Sequence, residues 1–125
     1  MRDMTIFVPG KLRNPLNGSW GGWRKHARLA KDWRERTAQA LWAEQRFQRI
    51  HLPNLVSPKR IMFTAHVGAK WDDDNLPAAI KPCRDALQGL VIVSDDGSGG
   101  HEFLYRQVID RKHRGVAITI EPTEG

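Results

Sequence analysis

The residues best suited to chemistry in this 125-residue chain are acidic, and they fall in two short runs, Asp72-Asp73-Asp74 and Asp95-Asp96. Asn75, Lys81 and Asp85 follow the first run closely. Carboxylates that converge repel one another unless a cation neutralises them. An all-oxygen donor set of this kind suits Mg²⁺ or Mn²⁺. In an extended segment Asp72 and Asp74 point one way and Asp73 the other. Two carboxylates on one side, joined by another from the second run, would make a site for such an ion. An ion held there can acidify a water molecule and offset charge building on a phosphate oxygen. Lys81 would supply a point charge to the scissile phosphate, or orient or deprotonate the attacking water. The same residues also fit a plainer reading. Asp-rich turns are common, with Asp74 or Asn75 capping a helix, and Lys81 with Asp85 makes an ordinary i,i+4 surface pair.

Positioning these groups is the task of the surrounding elements. Residues 4–9 form a short apolar strand stopped by Pro9-Gly10, and residues 10–22 form a loop in which Ser19 or a nearby glycine can start a helix. Residues 23–49 contain no Pro or Gly and read as one long helix. Trp23, Leu29, Ala30, Trp33, Ala40, Leu41 and Phe47 share its apolar face. Arg24, Lys25, Arg28, Lys31, Arg36 and Arg46 lie opposite, as a solvated face or as phosphate contacts. Trp42 projects on that polar side, suited to stacking on a base or to packing in a dimer interface.

Arg60 to Val67 read as a strand, residues 75–89 as a helix kinked at Pro82 and stopped by Gly89, and Leu90 to Val93 as a short strand. Residues 102–111 and 115–121 read as an antiparallel pair joined by a turn near Lys112-His113-Arg114-Gly115. Counted without the short 90–93 strand, the expected order is β-α-β-α-β-β, an α/β (α+β) single domain over residues 1–125 with one mixed sheet and two helices packed against it. Each acidic run then follows a strand, with a helix between. If those strands are parallel, a right-handed crossover brings both runs to one edge of the sheet.

Charge points to the partner. Twenty Lys and Arg against fourteen Asp and Glu leave a net +6. A basic surface around a compact acidic spot favours a polyanion such as nucleic acid, because each neutralised phosphate releases counterions. With 40% apolar and 27% charged residues, neither a disordered chain nor a membrane-embedded one is expected. The chain start carries no apolar stretch of the signal-peptide kind, so a cytoplasmic location is expected. The one cysteine, Cys83, rules out an intrachain disulfide and reads as a buried, inert thiol. His66 and His101 lack partners at metal-ligand spacing, and Gly97-Ser98-Gly99-Gly100 lacks the frame of a phosphate-binding loop.

Taken in order, Asp72-Asp73-Asp74-Asn75-Leu76, Lys81-Pro82, Asp85-Ala86-Leu87-Gln88-Gly89 and Asp95-Asp96 resemble the RusA family of Holliday junction resolvases. Ile6-Phe7-Val8-Pro9-Gly10 with Leu16-Asn17 is similar to the family's opening strand and loop. Tyr105-Arg106-Gln107 and Gly115-Val116-Ala117-Ile118 are similar to its closing strands. The resemblance implies a homodimeric, Mg²⁺-dependent (or Mn²⁺-dependent) endonuclease that places paired nicks across a four-way DNA junction. It implies that Asp72, Asp74 and Asp96 bind the metal and that Lys81 is the catalytic lysine. Asn75, Asp85 and Asp95 would support them, with Arg24, Lys25, Arg28 and Lys31 on the DNA. The lysine stands about one helical turn later after Asn75 than in the family's commonest spacing, with Pro77-Ala78-Ala79 intervening, as in phage-like variants. A nuclease for flaps or forks, and a non-catalytic nucleic-acid-binding protein, are the alternative functions.

Overall fold

A computed structural model describes residues 3–13, 23–47, 57–94 and 99–123. Strand β1 (Met4–Pro9) alternates buried Met4, Ile6 and Val8 with exposed Thr5, Phe7 and Pro9. That is the signature of a strand with one covered face. Helix α1 (Trp23–Phe47) follows, uninterrupted by any helix breaker. Trp33, Thr37 and Leu41, four residues apart, form its buried stripe, and Leu29, Ala30 and Ala40 flank it. Thr37 was not among the expected core positions. Its hydroxyl can be buried because it donates to the Trp33 carbonyl at 2.8 Å. The side chains of Trp23 and Phe47, and expected helix residues 48 and 49, lie outside the described residues, as do residues 14–22 with Ser19.

Strand β2 (Lys59–Val67) leads into a 3-10 turn at Asp73–Asn75 and then helix α2 (Leu76–Ala86). Pro77 sits in the first turn of α2, where no backbone donor is required. Leu76, Ala79, Ile80 and Cys83 bury one face at helical spacing. The helix runs through Pro82 and stops earlier than expected, at Ala86. Strands β3 (Glu102–Ile109) and β4 (Gly115–Pro122) complete the order β-α-β-α-β-β.

The four strands form one mixed sheet in the order β1-β4-β2-β3. β4 runs antiparallel to both β1 and β2, whereas β3 lies parallel to β2. Ile61, Phe63, Ala65 and Val67 of β2 face the helices together with Ile118, Ile120, Ile6 and Val8. The helices cover this face: α1 packs on β1 and α2, and α2 on β3.

Two expectations are corrected. Residues 102–111 and 115–121 are not an antiparallel pair, because β2 lies between β3 and β4 and bonds to each. A five-residue connection, 110–114, is long enough to step across that strand, so its turn-like composition did not require a hairpin. Nor is 90–93 a strand. Val91 and Ile92 are fully buried, but their N–H groups and that of Leu90 turn back to the Leu87 carbonyl at 2.8, 3.2 and 3.1 Å. An apolar run this short reads alike as strand or buried turn. Among the described residues no helix is long and apolar enough to cross a membrane.

Candidate functional site

The pairings of His66 with Gly115 and Val108, and of Gly115 with Pro9, bring the ends of β1, β2 and β3 and the start of β4 to one edge of the sheet. Three connecting segments leave this edge, 10–13, 68–74 and 110–114. They carry Asp72 and Asp74, and also Lys11, Arg13, Lys70, Arg111, Lys112, His113 and Arg114. An acidic turn therefore projects among basic loops.

The turn is held by its backbone. The Gln107 side chain, on β3, accepts the Trp71 N–H at 2.8 Å and donates to the Trp71 carbonyl at 2.8 Å. This amide imitates a strand partner and fixes the residue immediately before Asp72. The Asn75 N–H then donates to the Asp72 carbonyl at 3.0 Å, closing the 3-10 turn. The expected extended alternation of Asp72, Asp73 and Asp74 is thereby corrected. Residues three apart eclipse in a 3-10 turn, so Asp72 shares a side with Asn75. Asp72 and Asp74 are exposed, and neither side chain bonds to another described residue. Asn75 stands at the N-cap of α2 but makes no side-chain cap bond. The capping reading of Asn75 thus has no hydrogen bond behind it.

Lys81 lies elsewhere. Its ammonium donates to Asp85 at 3.0 Å, the i,i+4 pair that the sequence also allowed. Both residues line a groove of about 260 Å³ between α1 and α2, with Arg13, His26 and Arg34 along it and Trp33, Ala79 and Pro82 at its base. Asp95 and Asp96 lie outside the described residues. Their convergence with Asp72 through a parallel strand pair needs a strand at 90–93, and that segment is the buried turn. His101 accepts the Lys59 N–H at 3.2 Å, at the end of β2 opposite the acidic turn. Among the described residues no three His, Cys, Asp or Glu side chains are grouped to hold a metal.

On α1, Arg24, Lys25, Arg28 and Lys31 are all exposed, Lys31 standing 3.9 Å from Glu35. Arg36 does not belong to this row: it reaches the Pro9 carbonyl at 3.2 Å and Asp32 at 2.8 Å, tying α1 to the end of β1. Trp42 is half exposed on the same helix. Cys83 is buried beside Thr37, and burial pushes its thiol up to about 11, which removes it as a nucleophile.

Sequence reasoning missed Gln107 and a His66–Asp110 pair. His66 Nδ1–H donates to Asp110 Oδ2 at 3.3 Å, across 44 sequence positions. Asp110 also accepts the N–H groups of His113 and Lys112 at 3.1 and 3.2 Å. The His113 N–H first, then the His66 side chain, hold its carboxyl below the usual range. The available signal was a histidine near one strand end and an aspartate just after another; joining them required the β2–β3 register. No protein-family model matches this chain, and no curated protein matches it.

Proposed function

We propose that this protein is a metal-dependent endonuclease for branched DNA, acting as a homodimer that nicks a four-way junction symmetrically. The observation that carries the reading is the pinned, exposed Asp72–Asp74 turn on the same sheet edge as the basic segments 10–13 and 110–114. Basic loops bind the phosphate backbone, and carboxylates among them serve the reaction. A two-fold dimer would present two equivalent turns to a two-fold substrate.

The donor chemistry fits a hard divalent cation, since Asp72 and Asp74 offer only oxygen. These two would hold Mg²⁺ or Mn²⁺, with Asp96 as the third carboxylate. Bound there, the ion supplies Lewis acidity toward a phosphate oxygen and makes water a better nucleophile. The chain's own residues do the rest. Gln107 keeps the turn in place through Trp71, and Asn75 shapes its far side. Asp85 holds Lys81 until a phosphate in the groove competes for the ammonium, and Asp95 supports Asp96. Arg24, Lys25, Arg28 and Lys31 grip the arms of the substrate along α1.

The test is a labelled synthetic four-way junction beside a matched linear duplex, each with Mg²⁺, Mn²⁺ or chelator. Paired, metal-dependent nicks in the junction alone are expected. Nicks in flaps or forks but not in junctions would change the substrate and keep the chemistry. A junction bound yet intact under every condition would replace the enzyme with a binding module.

A further inference from the structure

Beside the acidic turn, the same sheet edge contains a second concavity of about 320 Å³, between the segments that follow β1 and β2 and the start of β4. Lys11, His66 and Arg114 line it, with Gly68 and Ala69, and among the described residues no Asp or Glu does. The helix groove, by contrast, includes Asp85. Lys11 and Arg114, cations from two separate parts of the chain, meet in this hollow and repel one another, an arrangement an anion relieves.

The hollow is built rather than incidental. Arg114 lies flat against Gly68: a Cβ at that position would stand 2.8 Å from the guanidinium carbon. A side chain at that position would push the guanidinium, the far end of a flexible side chain, away from the backbone. Arg111 donates to the Gly68 carbonyl at 3.0 Å and holds that stretch from the other side. The Gly10 N–H donates to the Arg114 carbonyl at 3.0 Å, coupling the loop that carries Lys11 to the one that carries Arg114. His66 donates through Nδ1 to Asp110, so Nε2 of the neutral ring is an acceptor and the donors open to an anion are Lys11 and Arg114.

The geometry points to a phosphate-binding pocket in which Lys11 and Arg114 hold one backbone phosphate of the nucleic acid, next to the Asp72–Asp74 turn. This assignment rests on the nucleic-acid reading above and adds residues to it. A guanidinium suits phosphate because its planar donors pair with two oxygens at once. A lysine from a second loop adds a point charge. Together they would fix where the strand lies relative to the acidic turn, as backbone contacts do generally.

Junction binding of the full chain, measured in chelator across a range of salt, tests the assignment with Lys11→Gln, Arg114→Gln and Gly68→Ala. Thermal midpoints identify any variant that fails to fold, and exposed Lys11 is the safest of the three. Each folded variant should bind roughly three- to tenfold more weakly, with the salt slope reduced by about one for a lost phosphate contact. Gly68→Ala should act through Arg114, so combining it with Arg114→Gln should add little. Variants that match wild type in affinity and slope, while wild type binds the junction, would overturn the pocket and leave the nuclease reading intact. If wild type does not bind the junction at all, that reading falls and this assignment with it. Inorganic phosphate provides the separate arm, through amide shifts at Gly68 and Ala69. Shifts that vanish in Arg114→Gln while junction affinity stays unchanged would mean a site for free phosphate, overturning the nucleic-acid assignment.

Discussion

The two ends of β2 use the same kinds of residue in opposite ways. At its start Lys59 is fully buried, its ammonium donating to the Ser57 carbonyl at 2.6 Å and to the Ser57 hydroxyl at 3.2 Å. Burial lowers its pKa, and burial with the Lys59 charge lowers that of His101 beside it. At the other end, Lys11 and Lys70 stand in solvent, His66 is only half buried, and Asp110 is held in its charged form. A lysine and a histidine folded inward serve the architecture, and their charge is a cost the packing must cover. The same types at a loop-bearing edge face solvent. Residue type alone therefore says little about function here; solvation at each end of one strand decides it.

Four experiments break or sharpen that contrast. Lys59→Ala should have the largest effect, losing about 3 kcal/mol of stability through the vacated volume and the lost hydrogen bonds to Ser57, as read by chemical denaturation. Lys70→Ala, at the exposed end, should change stability little. Asp74→Asn should lower junction cleavage at least about 100-fold while binding in chelator is retained. Normal cutting by that variant would remove Asp74 from the chemistry. Gln107→Ala should cost about 1–2 kcal/mol through two lost hydrogen bonds. It should also lower kcat with little change in junction affinity, because the turn loses its register while the basic loops remain.

The smallest effect is on pH dependence, which has the same sign at the two ends but falls in different pH ranges. His101 takes up a proton near its ordinary value of 6.5 when unfolded but only at lower pH when folded. The unfolded state then binds more protons, so stability falls as pH drops below about 6.5 and levels off beneath the folded pKa. Asp110 is likewise lowered from 3.8, so its contribution is present above that value and is lost as pH falls through the folded one. His101→Gln should remove the step near neutrality and leave the acid one. A single transition unaffected by this change would defeat the contrast.

Much of the architecture was legible because it depends on local pattern. The alternation in Met4–Pro9, the breaker-free run of α1 and the helical spacing of Leu76, Ala79, Ile80 and Cys83 each report burial directly. What was not legible depends on which strand lies beside which. The buried turn at 90–93 reads as a strand because its hydrogen bonds to Leu87 have no sequence signature. Seating β2 between β3 and β4 follows from packing of the whole sheet. At the site, Asp72, Asp74, Lys81 and Asp85 could be chosen by type and spacing, and so could the Lys81–Asp85 pair. The clamp of Gln107 on Trp71 and the His66–Asp110 bond could not. Each joins residues dozens of positions apart through the parallel β2–β3 register.

The strand order also dictates the order of assembly. β4, last among the described elements in the chain, is the only strand that contacts β1, the first. During synthesis β1 leaves the ribosome with no strand to pair with, and it stays so until residues 115–122 arrive. Meanwhile β2, α2 and β3 can form their parallel unit. The backbone edge of β1 is thus unpaired for longest in a nascent chain. Closing the sheet then requires the longest-range contacts in the molecule, a slow and aggregation-prone step.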